Sequence, residues 1–286
     1  MAALTASRGP GTFSPYLAVL RARFVLMLQY RAAAAAGFVT QAWFGVISIM
    51  VLAGFYHGAH SGPGHAPLSL VQAIGYVWLG QGLLVLLPWN ADPDVAEMVV
   101  SGAVAYERLR PLDTYFYWYA RAAAWTMARL LPRAVPMFLF AGLFLPLVGL
   151  GAWGLRPPVG LAAGLLFIVS LGLALLLSAA ITLLLNTIVV SSLTARGANT
   201  LAPAIVNLFA GLMAPLPLFP TWMHGFLFIQ PFAGLSDIPL RIYLGQLSGP
   251  AALAGIGIQA FWTVCLVLFG RRQLGRAMDR LRIQGG

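Results

Sequence analysis

Six apolar runs follow one another along this chain: Phe38–Tyr56, Leu70–Trp89, Leu131–Trp153, Val159–Val190, Leu201–Phe219 and Ala251–Phe269. A helix crosses the hydrocarbon of a bilayer with about 20 apolar residues. Backbone N–H and C=O groups in hydrocarbon must be bonded within the segment, so runs of this kind fold as helices. The composition agrees, since 60% of the residues are hydrophobic and only 8% are charged. We read an all-α polytopic membrane protein, one transmembrane domain over residues 1–286 with six crossings that return both termini to one side. The Val159–Val190 run is longer than a perpendicular crossing needs and must tilt or project. Residues 1–15 lack the apolar core and small-residue cleavage site of a secretory signal.

The charges orient these crossings. All 17 basic residues are arginine, which excludes a phosphate-binding Walker A lysine and a lysine Schiff base. Arg8, Arg21, Arg23 and Arg31 precede the first run, Arg108, Arg110 and Arg121 follow the second, and Arg196 follows the fourth. Arg271, Arg272, Arg276, Arg280 and Arg282 close the chain, while only Arg156 and Arg241 fall in opposite-side loops. The positive-inside rule then puts both termini and residues 92–113 in the cytoplasm. Arginine gathered at the ends of crossings reads as membrane orientation, and the +10 net charge does not point to nucleic acid.

Several shorter signals carry specific expectations. Tyr16–Arg31 reads as an interfacial elbow helix, with its arginines within about half of a helical wheel. Thr221–Pro250 is too apolar for a solvated loop and is broken by Pro231, Gly234, Asp237 and Pro239, which suits an outer re-entrant hairpin. Trp78, Trp89, Tyr115, Tyr117, Trp118 and Tyr119 read as interface anchors. Arg129 and Arg133 share one helix face and snorkel toward the boundary or meet an anionic cargo, with Pro132 and Pro136 kinking the helix beside them. His57, His60 and His65 stand in a Gly/Pro-rich loop without a carboxylate near them, so no metal site is expected there. Cys265 is alone and reads as packing. No serine, histidine and acid come together at one depth, so neither catalysis nor a cofactor of the chain's own is expected.

Residues 92–113, DPDVAEMVVSGAVAYERLRPLD, hold five of the seven acidic residues between the second and third runs. Val95–Leu109 can form a short amphipathic helix with Asp92 or Asp94 near its start and Arg108 and Arg110 near its end, stopped by Pro111. Gly102 is expected at a close helix contact. Glu97, Ser101-Gly102 and Leu109-Arg110-Pro111, with Tyr115 soon after, resemble the first cytoplasmic loop of ABC-2 type export permeases. The run from Gly102 to Leu112 is most similar to the viologen-exporter-like branch, once classed as a domain of unknown function.

That resemblance implies a half-sized permease that pairs with itself or a sibling permease in a bacterial inner membrane. It would sit on two separate ABC ATPase chains that bind ATP and Mg. Asp92, Asp94, Glu97, Ser101, Gly102, Glu107, Arg108, Arg110 and Pro111 would form the coupling segment that meets the ATPase. Gln41, Gln81, Asn186, Asn207, Arg129 and Arg133 are the polar residues available to line a substrate path, with interhelical hydrogen bonding as the ordinary alternative. The scarcity of polar groups in the runs points to an amphipathic or hydrophobic cargo for export. Two other readings stay open. A secondary transporter would need a coupling acid, and the runs as drawn hold none; a non-transporting membrane scaffold or assembly protein needs none of these features.

Overall fold

The computed structural model describes residues 31–58, 68–109, 112–212 and 214–280, together with Ala18, Arg21, Ala22 and Val25. Among the described residues every regular element is helical. The long helices are α1 (Arg31–Gly58), α2 (Leu70–Leu83), α4 (Thr114–Leu139), α5 (Leu161–Ser192), α6 (Arg196–Phe209) and α9 (Gly249–Arg280). Shorter ones stand between them: α3 (Pro93–Val100), α7 (His224–Ile229) and α8 (Asp237–Tyr243). Among the described residues four stretches are long and apolar enough to cross a membrane, Ala35–Tyr56, Thr114–Leu147, Leu161–Ser192 and Gly249–Arg280, with Leu70–Leu86 a shorter apolar helix. The elbow expected at Tyr16–Arg31 lies outside the described residues except at its four described positions and Arg31. The loop holding His60 and His65 lies outside them too, as does the side chain of His57.

Several boundaries differ from the sequence reading. The first helix begins at Arg31 instead of Phe38, and the last runs on to Arg280 instead of ending at Phe269. Two further differences have a clear structural cause. The third run was expected to begin at Leu131, yet its helix begins at Thr114, where the Asp113 carboxylate accepts from the Phe116 N–H at 3.1 Å. The reason is burial: Tyr115 and Trp118 keep only 3% and 1% of their surface and pack into the core instead of anchoring at an interface. Trp78, at 1%, departs from the anchor reading in the same way. The fifth run was expected to continue to Phe219, but α6 stops at Phe209. Gly211 turns the chain at a positive φ of 85°, a conformation outside the right-handed helix, and Pro215 and Pro217 follow with no N–H to resume the helical bonding.

α4 runs through Pro132 and Pro136 and then widens into a π turn over Phe140–Phe144 before Leu145–Leu147. Pro146 has no N–H to offer the carbonyl of the preceding turn, and a local change of helix register accommodates such a loss. The turn is held by aromatic edges, with Phe140 standing 5.7 Å from both Phe38 and Trp78. Gly45 lets α1 come close at this point, because a Cβ there would stand 2.6 Å from the Trp78 ring.

α5 is the axis of the bundle and packs on α9, α4, α8 and α3, while α2 packs on α1 and α4. The bundle has two ends. At one, the Trp78 indole donates to the Trp153 carbonyl at 2.7 Å and the Tyr56 hydroxyl to Leu68 at 2.6 Å. α3 lies at the other. Midway, fully buried Gln259 on α9 donates to the carbonyls of Gly234 and Ser170 at 2.7 and 3.1 Å and accepts from the Ser170 hydroxyl at 2.8 Å. A buried amide is stabilising only when its groups are satisfied, and this one ties α5, α9 and residues 231–235 together.

Candidate functional site

The residues between α2 and α4 form a short lever with fixed ends. Asp92 caps α3, its carboxylate accepting from the Asp94 N–H at 2.9 Å, and Pro93 takes the first helical position, where its missing N–H costs nothing. Asp94 adds a carboxylate to the first turn, favoured by the helix dipole. Val95 and Val99 bury the inner face against Leu183, Val190 and Leu274. One helix was expected from Val95 to Leu109, but α3 ends at Val100 and a 3-10 stretch occupies Ala103–Leu109. Gly102 makes the break with a φ of 74°. A Cβ there would meet nothing within 4 Å, so this glycine serves a left-handed turn, not the close contact expected of it.

Long-range bonds hold the segment to the bundle. Backbone N–H groups of Ala91 and Asp92 donate to the side-chain oxygens of Asn199 and Asn186, at 2.9 and 2.8 Å. The Arg121 guanidinium of α4 meets the Asp92 carboxylate at 2.7 Å, with side-chain exposures of 9% and 20%. Taking two charges out of water is costly, and they repay that cost only in a close, hydrogen-bonded geometry such as this one. Buried Glu107 accepts from the Trp118 indole at 3.1 Å. At the far end Arg271 of α9 reaches Asp113 at 2.8 Å.

The outer face of the segment is different. Val100, Tyr106 and Leu109 are 81%, 71% and 78% exposed, and Asp94, Glu97, Ser101 and Gly102 are exposed beside them. Ser101 spends its hydroxyl on the Glu97 carbonyl at 2.8 Å. Arg110, Pro111 and the Arg108 side chain lie outside the described residues. A groove of about 1190 Å³ runs along the segment, lined by Val100, Gly102, Ile188, Leu193, Phe269 and Arg276 among others. Leu193 ends α5 at a φ of 58°, a left-handed conformation that costs a residue with a Cβ about 1–2 kcal/mol.

The polar residues named for a substrate path do not gather in one place. Asn186 is buried and bonded to the Asp92 backbone. Gln81 is half-buried in the wall of a cavity of about 230 Å³ between α1 and α2. Gln41 on α1 is buried, and Asn207 on α6 is half-buried. Arg129 and Arg133 line a separate cavity of about 260 Å³ near Asp92. Sequence reasoning had assigned Arg121 only to the orientation of the chain and had not singled out Asn199 or Arg271 as ties. Their partners stand 29, 108 and 158 positions away, so no local pattern could have marked them.

No curated protein and no solved structure matches the chain. The family described as ABC-2 family transporter protein matches residues 40–285, which takes in α1 from Thr40 onward, every later helix and the whole lever between α2 and α4. A membrane bundle with a clamped, outward-facing helical insert, matched over most of its length, belongs to the ABC-2 family of transporter proteins.

Proposed function

We propose that this chain is the transmembrane permease subunit of an ABC exporter, carrying no nucleotide site of its own. It pairs with a second permease, itself or a sibling, and two separate ABC ATPase subunits supply ATP hydrolysis with Mg. Six crossings in a bacterial inner membrane leave both termini and residues 92–113 in the cytoplasm, in keeping with the arginine distribution. The cargo is an amphipathic or hydrophobic compound.

The observation that carries this reading is the combination of rigidity and exposure in residues 92–109. A joint that transmits a partner's motion has to be stiff toward its own bundle, because a loose loop would absorb the displacement. The contacts to Arg121, Asn186, Asn199 and Trp118 supply that stiffness. Exposed apolar side chains flanked by carboxylates supply a surface for a partner. Co-expression with the cognate ATPase and determination of the mass of the purified complex tests the assignment. Two permease and two ATPase chains are expected, with no hydrolysis by the permease alone. Hydrolysis by the isolated permease, or a chain that purifies without any ATPase, would contradict it and favour a membrane scaffold.

A further inference from the structure

The cavity of about 260 Å³ between α4, α5 and the 84–93 stretch has a wall whose charge is not balanced by the described residues. Arg129 and Arg133 both line it, one helical turn apart. Like charges at that spacing repel. Among the described residues neither guanidinium has an ion pair or hydrogen bond; Arg129 lies 5.8 Å from the Trp125 ring centroid, and Arg133 reaches across to the backbone of α1 at Gly37. The carboxylate in the same wall is Asp92, and Arg121 holds it at 2.7 Å. Trp89 also lines the cavity, and its indole N–H is buried without a partner.

Two half-buried guanidinium groups beside an unused buried donor form an arrangement that an oxyanion completes. Within a membrane protein an uncompensated cation is expensive, and cations there mark ligand or ion pathways. Arginine suits this task because its planar fork binds phosphate or carboxylate through paired donors. The size also selects the ligand. Whole drug-sized ligands occupy about 300–1,000 Å³, so this cavity takes a headgroup and leaves apolar chains outside.

We propose that the cavity binds an oxyanionic headgroup, phosphate or carboxylate, through Arg129 and Arg133 with the Trp89 N–H as a third donor. The inference deepens the exporter reading and rests on it for the conclusion that the bound headgroup belongs to cargo; the anion site itself does not depend on that reading. Its ligand chemistry has two sources, an amphiphile such as an anionic lipid or a free oxyanion.

The test uses the full chain in nanodiscs of phosphatidylcholine containing phosphatidylglycerol, with retained lipid counted by native mass spectrometry. Wild-type chain is compared with Arg129→Gln/Arg133→Gln and with Arg156→Gln, an exposed arginine away from the cavity that makes the same kind of charge change. We expect at least tenfold weaker phosphatidylglycerol binding in the Arg129→Gln/Arg133→Gln variant, equivalent to about 1.4 kcal/mol, and wild-type binding in Arg156→Gln. Arg129→Lys/Arg133→Lys keeps the charge, guards against a folding artefact and should recover part of the binding. Displacement of the lipid by inorganic phosphate would assign the site to free oxyanions, and its persistence in phosphate would assign it to amphiphiles. Equal retention by wild type and both double variants, or equal loss in Arg156→Gln, would overturn the proposal. ATPase co-purification with the double variant separates this failure from failure of the permease assignment, since the anion site predicts intact association.

Discussion

The chain carries two short helical inserts between its long helices, and they are built in opposite ways. Residues 92–109 are fastened at their edges by charged and amide side chains, while Val100, Tyr106 and Leu109 are left in the open. Residues 221–248 leave Trp222, Phe226 and Ile229 exposed at one end, but their central stretch, 233–240, is buried into the bundle, with Ala233, Leu235, Ile238 and Leu240 at 0% exposure. There the Gln230 amide donates to Phe209 and Leu227, Ser236 donates to the Ala210 carbonyl, and Asp237 accepts from the Tyr76 hydroxyl at 2.9 Å. Irregular backbone in a membrane protein is tolerated where protein covers it, and this insert is covered. The first insert is built to be touched by something else, and the second to complete the core.

The contrast breaks most sharply if the wrong insert proves sensitive. Replacing Arg121 with Ala leaves the partly buried Asp92 carboxylate without its partner, and the loss should approach the ~3–5 kcal/mol that a fully buried pair costs when one member is removed. Thermal unfolding in detergent should show that loss together with reduced ATPase association, because the lever loses its fastening. Leu240→Ala in the other insert should cost about 2–5 kcal/mol by opening a cavity, while the molecules that remain folded keep their ATPase. Normal unfolding of Leu240→Ala would show that the second insert is not part of the core.

Smaller effects sharpen the same contrast. Gly102→Ala should cost about 1–2 kcal/mol from its φ of 74° alone, and Gly102→Asn should cost less, since Asn visits that region more readily. An equal cost for both would point to crowding, which the open space around this position contradicts. Leu193→Gly relieves the left-handed end of α5 and should raise stability by up to about 1 kcal/mol, read as a higher midpoint in the same unfolding assay.

What could be read from the sequence followed what is local. The apolar run from Val159 to Val190 marks α5 to within two residues at each end, because continuous hydrophobicity is its own signal. Asp92 announces the start of α3 because a carboxylate before a proline is a helix start in itself. The family resemblance was carried partly by residues between Glu97 and Tyr115 and partly by the order of apolar runs around them, and the match over residues 40–285 agrees with it. The extra turns at the start of α4 were hidden because Tyr115 and Trp118 look like interface residues until the helix that buries them is known. Gly102 shows its need for a turn only through its φ, and a glycine in an amphipathic pattern reads equally well as a contact point. The fastening of Asp92 to Arg121 and Asn186 joins helices far apart in sequence, and only tertiary structure brings them together.

The claim at the centre of this account is that the exposed face of residues 92–109 is the surface on which the ATPase bears. The most direct measurement substitutes Val100→Ser, Tyr106→Ser and Leu109→Ser together and compares unfolding midpoint and ATPase co-purification with the wild-type chain. These side chains give almost nothing to the fold, so each change should alter stability by no more than about 0.5 kcal/mol. The account predicts a permease that inserts and unfolds like wild type but no longer retains the ATPase. Retention of the ATPase at the wild-type ratio by that well-folded variant would contradict it.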